Sequence, residues 1–456
     1  MPDAVVQANA APLLIWTALS IVTLILLVAW VKLNAFVALM IASLMVGLGA
    51  GMTPTAVAKS FQLGVGNILG LIAVVVGLGT MLGKMLSESG GAEVIARTFI
   101  NALGTKRLPW ALMIVGFIVG LPVFFGVGLV LLMPILAALL RETKQPLLVL
   151  GIPLVAGLSV SHGLIPPHPG PMVAIGTLGA DVGRTILYGV VIGLPTALIA
   201  GPIFGKWIAR KIPVPLGGLG ETLAAKALPK NPPSFGVTMA TILLPVVLML
   251  GATVADVTLT EQNAARIWLD FIGSPVVAML AATLVSFITF GFARGFTRGQ
   301  ILKFTEECVA PAASIILIVG AGGGFTKVLD ESGVDTVLAD AGRNLNVSVL
   351  LLGWVIAALI RVAVGSATAA ISVAASIVLP IAAATPGTNL ELLVISLGAG
   401  SLILSHVNDG GFWFVKEYFG LSVTHTLKSW TVMETIIAVV ALVLVLLLDF
   451  LLRTAS

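Results

Sequence analysis

Four short stretches concentrate the versatile side chains of an otherwise apolar chain. SHGLIPPHPGP, 161–171, holds His162 and His168 among Pro166, Pro167, Pro169 and Pro171. SHVNDGGFW, 405–413, holds His406, Asn408 and Asp409, and RVAVGSAT, 361–368, runs from Arg361 through Ser366 to Thr368. The fourth, GLPVFFGVG at 120–128, carries no charge. Arg361 offers a planar fork of donors that suits a carboxylate. Asp409 can carry a proton or bind a cation, and His162, His168 and His406 titrate near neutral pH and can relay protons. Asn408, Ser366 and Thr368 are neutral groups fit for hydroxyls, and free amides beside a helix break, Gly163 among them, can receive an anion. Plainer roles compete with these. A histidine among prolines can merely satisfy exposed carbonyls, Arg361 can pair with Asp409, and Thr368 can bond its own helix backbone.

Enzyme patterns are missing. The two histidines at 162 and 168 fit no HExxH-type metal arrangement, and no nucleophile motif accompanies them. GLGTMLG at 77–83 and GVGNILG at 64–70 lack the spacing of a nucleotide loop, and packing of small residues in a membrane explains them. Cys308 is the one cysteine, which excludes an intramolecular disulfide and a cysteine metal site. No cofactor, metal or nucleic-acid partner is implied by anything in the chain.

The elements that position these residues follow from composition. In 456 residues, 58% are hydrophobic, 10% charged and 50 are glycine; the mean hydropathy is +1.13. A water-soluble surface needs about 25% charged residues, so lipid must face most of this chain. The expected fold is an all-α polytopic membrane protein. Runs of roughly 20 apolar residues predict spans near 12–31, 35–51, 62–86, 146–178 and 185–209, then 236–254, 274–292, 308–329, 389–420 and 430–452. The first run, lacking a basic flank and a cleavage signal, reads as a retained helix. Two longer stretches, 109–140 and 346–384, are broken in the middle and predict re-entrant hairpins. Unwound backbone at membrane depth is tolerated only inside protein or along a wet cavity. The proline-rich break in 146–178 and its counterpart in 389–420 therefore imply a cavity, with helix N-termini favouring an anion.

The chain repeats itself. Shifted by 243 residues, GKMLSESG at 83–90 lies over TKVLDESG at 326–333, and about eleven of the 25 positions from 72 to 96 are identical. The polar connector 211–234 separates a first repeat, 1–210, from a second, 235–456. Five spans per half make the second copy enter from the opposite side, so the expectation is two inverted-topology repeats, each with about five spans, one re-entrant hairpin and one broken helix. With the N-terminus outside, seventeen of the 24 Lys and Arg residues collect on the inner side, the bias expected of cytoplasmic loops. A count in which both long stretches cross twice preserves the same sides.

At SVSHGLIPPHPGP, RVAVGSATAA, SHVNDGGFWFVKEYF and KSWTVMETI the chain resembles the gluconate permease family of proton symporters, in the ion transporter superfamily. The resemblance covers nearly the whole chain. It implies uptake of gluconate or a related sugar acid with protons across the bacterial cytoplasmic membrane, by a homodimer with scaffold and transport parts. Branches of the family carry D-serine, glycerate-like acids, fructuronate or idonate. Gly126 stands where the family has an acidic residue, and Gly410 where it has proline. An anion channel and a membrane enzyme are the rival classes, and an inverted repeat within one chain fits alternating access better than either.

Both termini are expected outside and the connector inside. In a background with Cys308 replaced, single cysteines at Ala4, Pro229 and Ser456 should separate: an impermeant thiol reagent outside labels the first and last and spares Pro229→Cys. Labelling of all three from one side would sink this arrangement.

Overall fold

The computed structural model describes residues 2–212, 214, 231–343 and 347–455, all helices and connecting turns with no strand among them. Most of the expected connector 211–234 lies outside the described residues. In the first half the helices are α1 (Pro2–Ala29), α2 (Ala35–Gly49), α3 (Pro54–Ser89), α4 (Gly91–Leu103), α5 (Leu108–Gly120), α6 (Phe125–Thr143), α7 (Leu147–Leu164), α8 (Pro169–Leu178) and α9 (Val182–Ala209). In the second half they are α10 (Phe235–Thr258), α11 (Ala264–Gly273), α12 (Pro275–Arg294), α13 (Arg298–Glu307), α14 (Val309–Glu331), α15 (Val334–Arg343), α16 (Val349–Val364), α17 (Ala367–Ala383), α18 (Leu390–Gly400), α19 (Gly410–Phe419) and α20 (Val423–Thr454).

Among the described residues eight helical runs are long and apolar enough to cross a membrane. That replaces the expectation of ten spans. The predicted span 389–420 breaks in its middle as expected, into α18 and α19 of 11 and 10 residues, each too short to cross alone. The predicted span 35–51 is a helix of 15 residues, whereas 62–86 extends back to Pro54 in a helix of 36. Both long stretches do break where expected, giving the pairs α5/α6 and α16/α17. The second leg α6, at 19 residues, is itself of crossing length. Hydropathy also overlooked α4, α11, α13 and α15, which are short and carry charges among their apolar residues. Between α4 and α5 the chain bends by 111° at Gly104, whose φ of +70° is the left-handed conformation glycine adopts without strain.

The core is built by backbone contact between small residues. A Cβ added to Gly64 of α3 would lie 2.3 Å from the Gly323 carbonyl oxygen of α14, and one on Gly323 would lie 2.3 Å from Ile68 Cγ2. Lipid offers no hydrophobic drive between helices, so close approach of this kind holds them. Ion pairs sit toward the ends of the same helix pair. Lys84 reaches Glu88 at 2.8 Å and Glu307 at 2.9 Å, and its ammonium holds the exposed Glu307 carboxyl below the usual carboxylate range. Lys327, 243 residues on, reaches Asp330 at 2.7 Å and Glu331 at 3.3 Å, while Ser60 of α3 donates to Glu331. In the same way α5 and α7 touch through Gly116 and Gly157, and Ser161 Oγ donates to the Phe117 carbonyl at 2.7 Å.

Gly323→Ala should lower the stability of the detergent-solubilised protein by about 1–3 kcal/mol, the usual cost of overpacking. Gly66→Ala, on the same helix pair but facing open space, is the control and should leave the thermal unfolding midpoint unchanged or slightly raised. Equal midpoints for the two variants would refute the close-contact reading.

Candidate functional site

Two broken helices, α7/α8 and α18/α19, converge with the paired helices α5/α6 and α16/α17, expected from sequence as hairpins. In the second half, Arg361 lies in the last turn of α16, and Gly365, at φ +77°, turns the chain into α17. A Cβ at Gly365 would sit 2.3 Å from the Asn408 carbonyl oxygen, so glycine lets the hairpin tip press against the break between α18 and α19. Asn408 Nδ2 returns the contact, donating to the Val362 carbonyl at 2.9 Å.

Asp409 then holds the two pieces together. Its Oδ2 accepts from Arg361 Nη2 at 2.5 Å and from the Ser405 hydroxyl, and its Oδ1 accepts the Gly411 amide at 3.0 Å as the cap of α19. Arg361 Nη1 donates to the Gly365 carbonyl. Behind the pair, Trp430 Nε1 of α20 donates to Ser405 Oγ at 2.7 Å, and Thr431 donates to the Ser405 carbonyl. Arg361 is only 3% exposed. Removing one partner of a buried pair costs about 3–5 kcal/mol, because the other charge is left uncompensated.

Beside this pair lies a cavity of about 650 Å³. Of the residues singled out from sequence, His162, Arg361, Ser366, Thr368, Asn408 and Asp409 line it, and Gly126 does too. Ser366 also caps α17, accepting the Ala369 amide at 3.4 Å. The remaining three are placed elsewhere. His168 is buried away from this cavity, its Nε2 set 2.5 Å from the Gly120 carbonyl oxygen and its ring 5.0 Å from that of His162. Pro167, His168 and Pro169 instead border a small void with Thr80 and Pro122. His406 Nδ1 meets the Leu404 carbonyl at 2.7 Å on the outer surface of the break, the plain role of a histidine near exposed carbonyls. Gly163 is a packing position, since a Cβ there would strike Leu402 at 2.6 Å.

Sequence reasoning passed over Glu434, Ser159, Trp430 and Phe414, all of which line the cavity. Glu434 is 1% exposed. A signal was present, for an acid inside an apolar run of 32 residues marks function by default. Phe125 and Trp430 pack with ring centroids 5.0 Å apart and their planes tilted by 46°, and a Cβ at Gly126 would meet the Phe414 ring at 2.9 Å. Four buried polar atoms around the cavity have no protein partner: His162 Nδ1, Arg361 Nε, Asn408 Oδ1 and Glu434 Oε1. The set amounts to one cation, two acids, hydroxyl and amide groups, and aromatic walls. No nucleophile is poised beside a base, so the arrangement suits binding an anion.

Broken helices around a polar cavity in an apolar helical protein define a membrane transporter. The whole chain fits that class. It is matched over residues 12–451 by the model of the GntP family permease, and it belongs to that family. It is 51% identical to the gluconate permease of Pseudomonas aeruginosa across 98% of this chain and 99% of the relative. With the high-affinity gluconate transporter of Escherichia coli it shares 43% identity across 96% and 99%. The fold resembles the crystal structure of the Alcanivorax borkumensis YdaH transporter, with a TM-score of 0.64 at 17% identity over 90% of this chain and 96% of that one. The protein is a permease, not an enzyme.

Lysine keeps the charge at 361 but loses the fork that bridges Asp409 and the Gly365 carbonyl. Arg361→Lys should weaken substrate binding at least about tenfold, or 1.4 kcal/mol, as read by equilibrium binding in detergent. Unchanged affinity would return Arg361 to a purely structural role.

Proposed function

We propose that this permease imports gluconate or a related sugar acid together with protons across the bacterial cytoplasmic membrane. The observation that carries the reading is the buried Arg361–Asp409 pair beside a 650 Å³ cavity. A substrate carboxylate competes with Asp409 for the one guanidinium that lines the cavity, while Ser366, Thr368 and Asn408 meet hydroxyls. Gluconate is favoured because two relatives of more than 40% identity carry its name. The second choice is a symporter for D-serine or a glycerate-like acid, smaller substrates that the same cation and hydroxyl partners would suit.

The proton follows from charge. An entering carboxylate adds a negative charge beside one cation and two acids, at a depth where uncompensated charge is expensive. Asp409 governs this coupling through its hold on Arg361, and His162, with His168 behind it, offers a further route for the proton. The architecture proposed for the cycle is an inverted pair of repeats, 1–210 and 235–456, joined by a cytoplasmic connector 211–234, with both termini periplasmic and two copies forming a homodimer. The helix order supports the repeat: at an offset of 243, Leu147 and Leu390 open α7 and α18, and α5, α6, α8 and α9 have counterparts in α16, α17, α19 and α20.

Proteoliposomes loaded at high internal pH and diluted into acidic medium with labelled gluconate should accumulate it above equilibration. Asp409→Asn should bind and exchange substrate but fail to concentrate it. Uptake by the unaltered protein that stops at equilibration would point to a channel, and an Asp409→Asn protein that still concentrates gluconate would remove that residue from coupling.

A further inference from the structure

Glu434 lies one helical turn beyond Trp430 on α20, on the wall of the cavity. The other acid of the cavity is differently placed. Asp409 is partnered on both oxygens, by three donors from Arg361, Ser405 and Gly411. Glu434 is not. Its Oε1 is buried without a partner, and the side-chain hydroxyl facing its carboxyl is that of Ser159 on α7. The charged groups that face it are Arg361 from α16 and Asp409 from the break, and His162 is the titratable group that α7 presents to the same cavity.

A carboxyl oxygen sealed from water needs a donor, a cation or a proton. The donor is missing at Oε1, and both Nη groups of the cation are already engaged, by Asp409 and by the Gly365 carbonyl. We propose that Glu434 is the seat of the transported proton, and that Asp409 preserves that role by keeping Arg361 from pairing with it. This deepens the proton-coupled reading given above and rests on it. The proton comes from water on the side to which the cavity opens, forms an O–H bond with the Glu434 carboxylate before that oxygen is sealed from water, travels with the substrate anion, and leaves to water on the other side. No other bond changes. Loading acid and anion together keeps the net charge of the occupied cavity equal to that of the empty one, so the carrier moves the same charge in both directions. The same logic explains why Asp409→Asn uncouples: Arg361, deprived of its counter-ion, takes Glu434 as an ionised partner.

The test uses the full-length protein in proteoliposomes, with gluconate as probe. Glu434→Gln keeps the shape and the hydrogen-bonding capacity but cannot titrate. It should retain gluconate counterflow under zero proton gradient, lose accumulation above equilibration under an inward gradient, and lose the proton uptake that accompanies gluconate binding in weakly buffered detergent solution. A Glu434→Gln protein that still concentrates gluconate, or still takes up that proton, overturns the proposal. Should glutamine abolish counterflow as well, Glu434→Asp decides the matter: accumulation with a displaced pH profile supports the seat, and an unmoved profile overturns it. If the unaltered protein shows no proton-driven accumulation, it is the symport reading that fails; if it accumulates another acid and not gluconate, the same Glu434 comparison is made with that acid.

Discussion

One buried ion pair organises the second half of this permease. Arg361 and Asp409 come from separate elements, a hairpin leg and a break between short helices, and neither charge is tolerable there alone. Their contact fixes the hairpin tip against the break, where Gly365 leaves room for the Asn408 backbone and Asn408 donates back to Val362. The Ser405, Trp430 and Thr431 hydrogen bonds then tie the break to α20. A binding cavity follows as a consequence, because backbone that has left the helix must be lined by polar partners or water.

The pair also explains how a ligand can be felt by the fold. On the proposed reading, substrate that draws Arg361 away from Asp409 loosens the joint between hairpin and break, and substrate that leaves restores it. A ligand shifts a conformational equilibrium only through differential contacts with the two states. Here the differential contact and the structural joint are the same guanidinium. The α3/α14 pair is held by the close approach of Gly64 and Gly323 and flanked by ion pairs through Lys84 and Lys327.

Legibility in the sequence tracked how local each feature is. Breaks were readable because proline, glycine and polar residues interrupt apolar runs, and both hairpins and both broken helices fall where those residues stand. The span count was not, since ten crossings assumed that every apolar run is long enough to cross, and among the described residues α2 and the two pieces of the broken run, α18 and α19, are shorter than that. At the site, Arg361 and Asp409 announced themselves as charges in apolar surroundings. Glu434 carried the same mark and was passed over because no break accompanies it: α20 runs on past it. His168 and His406 could not be sorted from His162 by type, because the three differ only in whether the turn of chain beneath them faces the cavity, the hairpin tip or the surface. That depends on side-chain direction, which spacing among prolines does not set.

The proposed repeat gives these residues a further meaning. At the offset of 243 that aligns α7 with α18, Arg361 corresponds to Ile118, Asp409 to Pro166 and Glu434 to Val191. The frame recurs, and its ionisable chemistry does not. The first half contributes instead the neutral wall of the cavity, Phe124, Phe125 and Gly126, together with Ser159 and His162. A second charged pair at Ile118 and Pro166 would have placed another cation within the same small volume and divided the substrate's carboxylate between two partners. Under the proposed symport, confining the cation and both acids to one half makes a single guanidinium the point at which anion, proton and hairpin compete, and competition at one point is what would couple them.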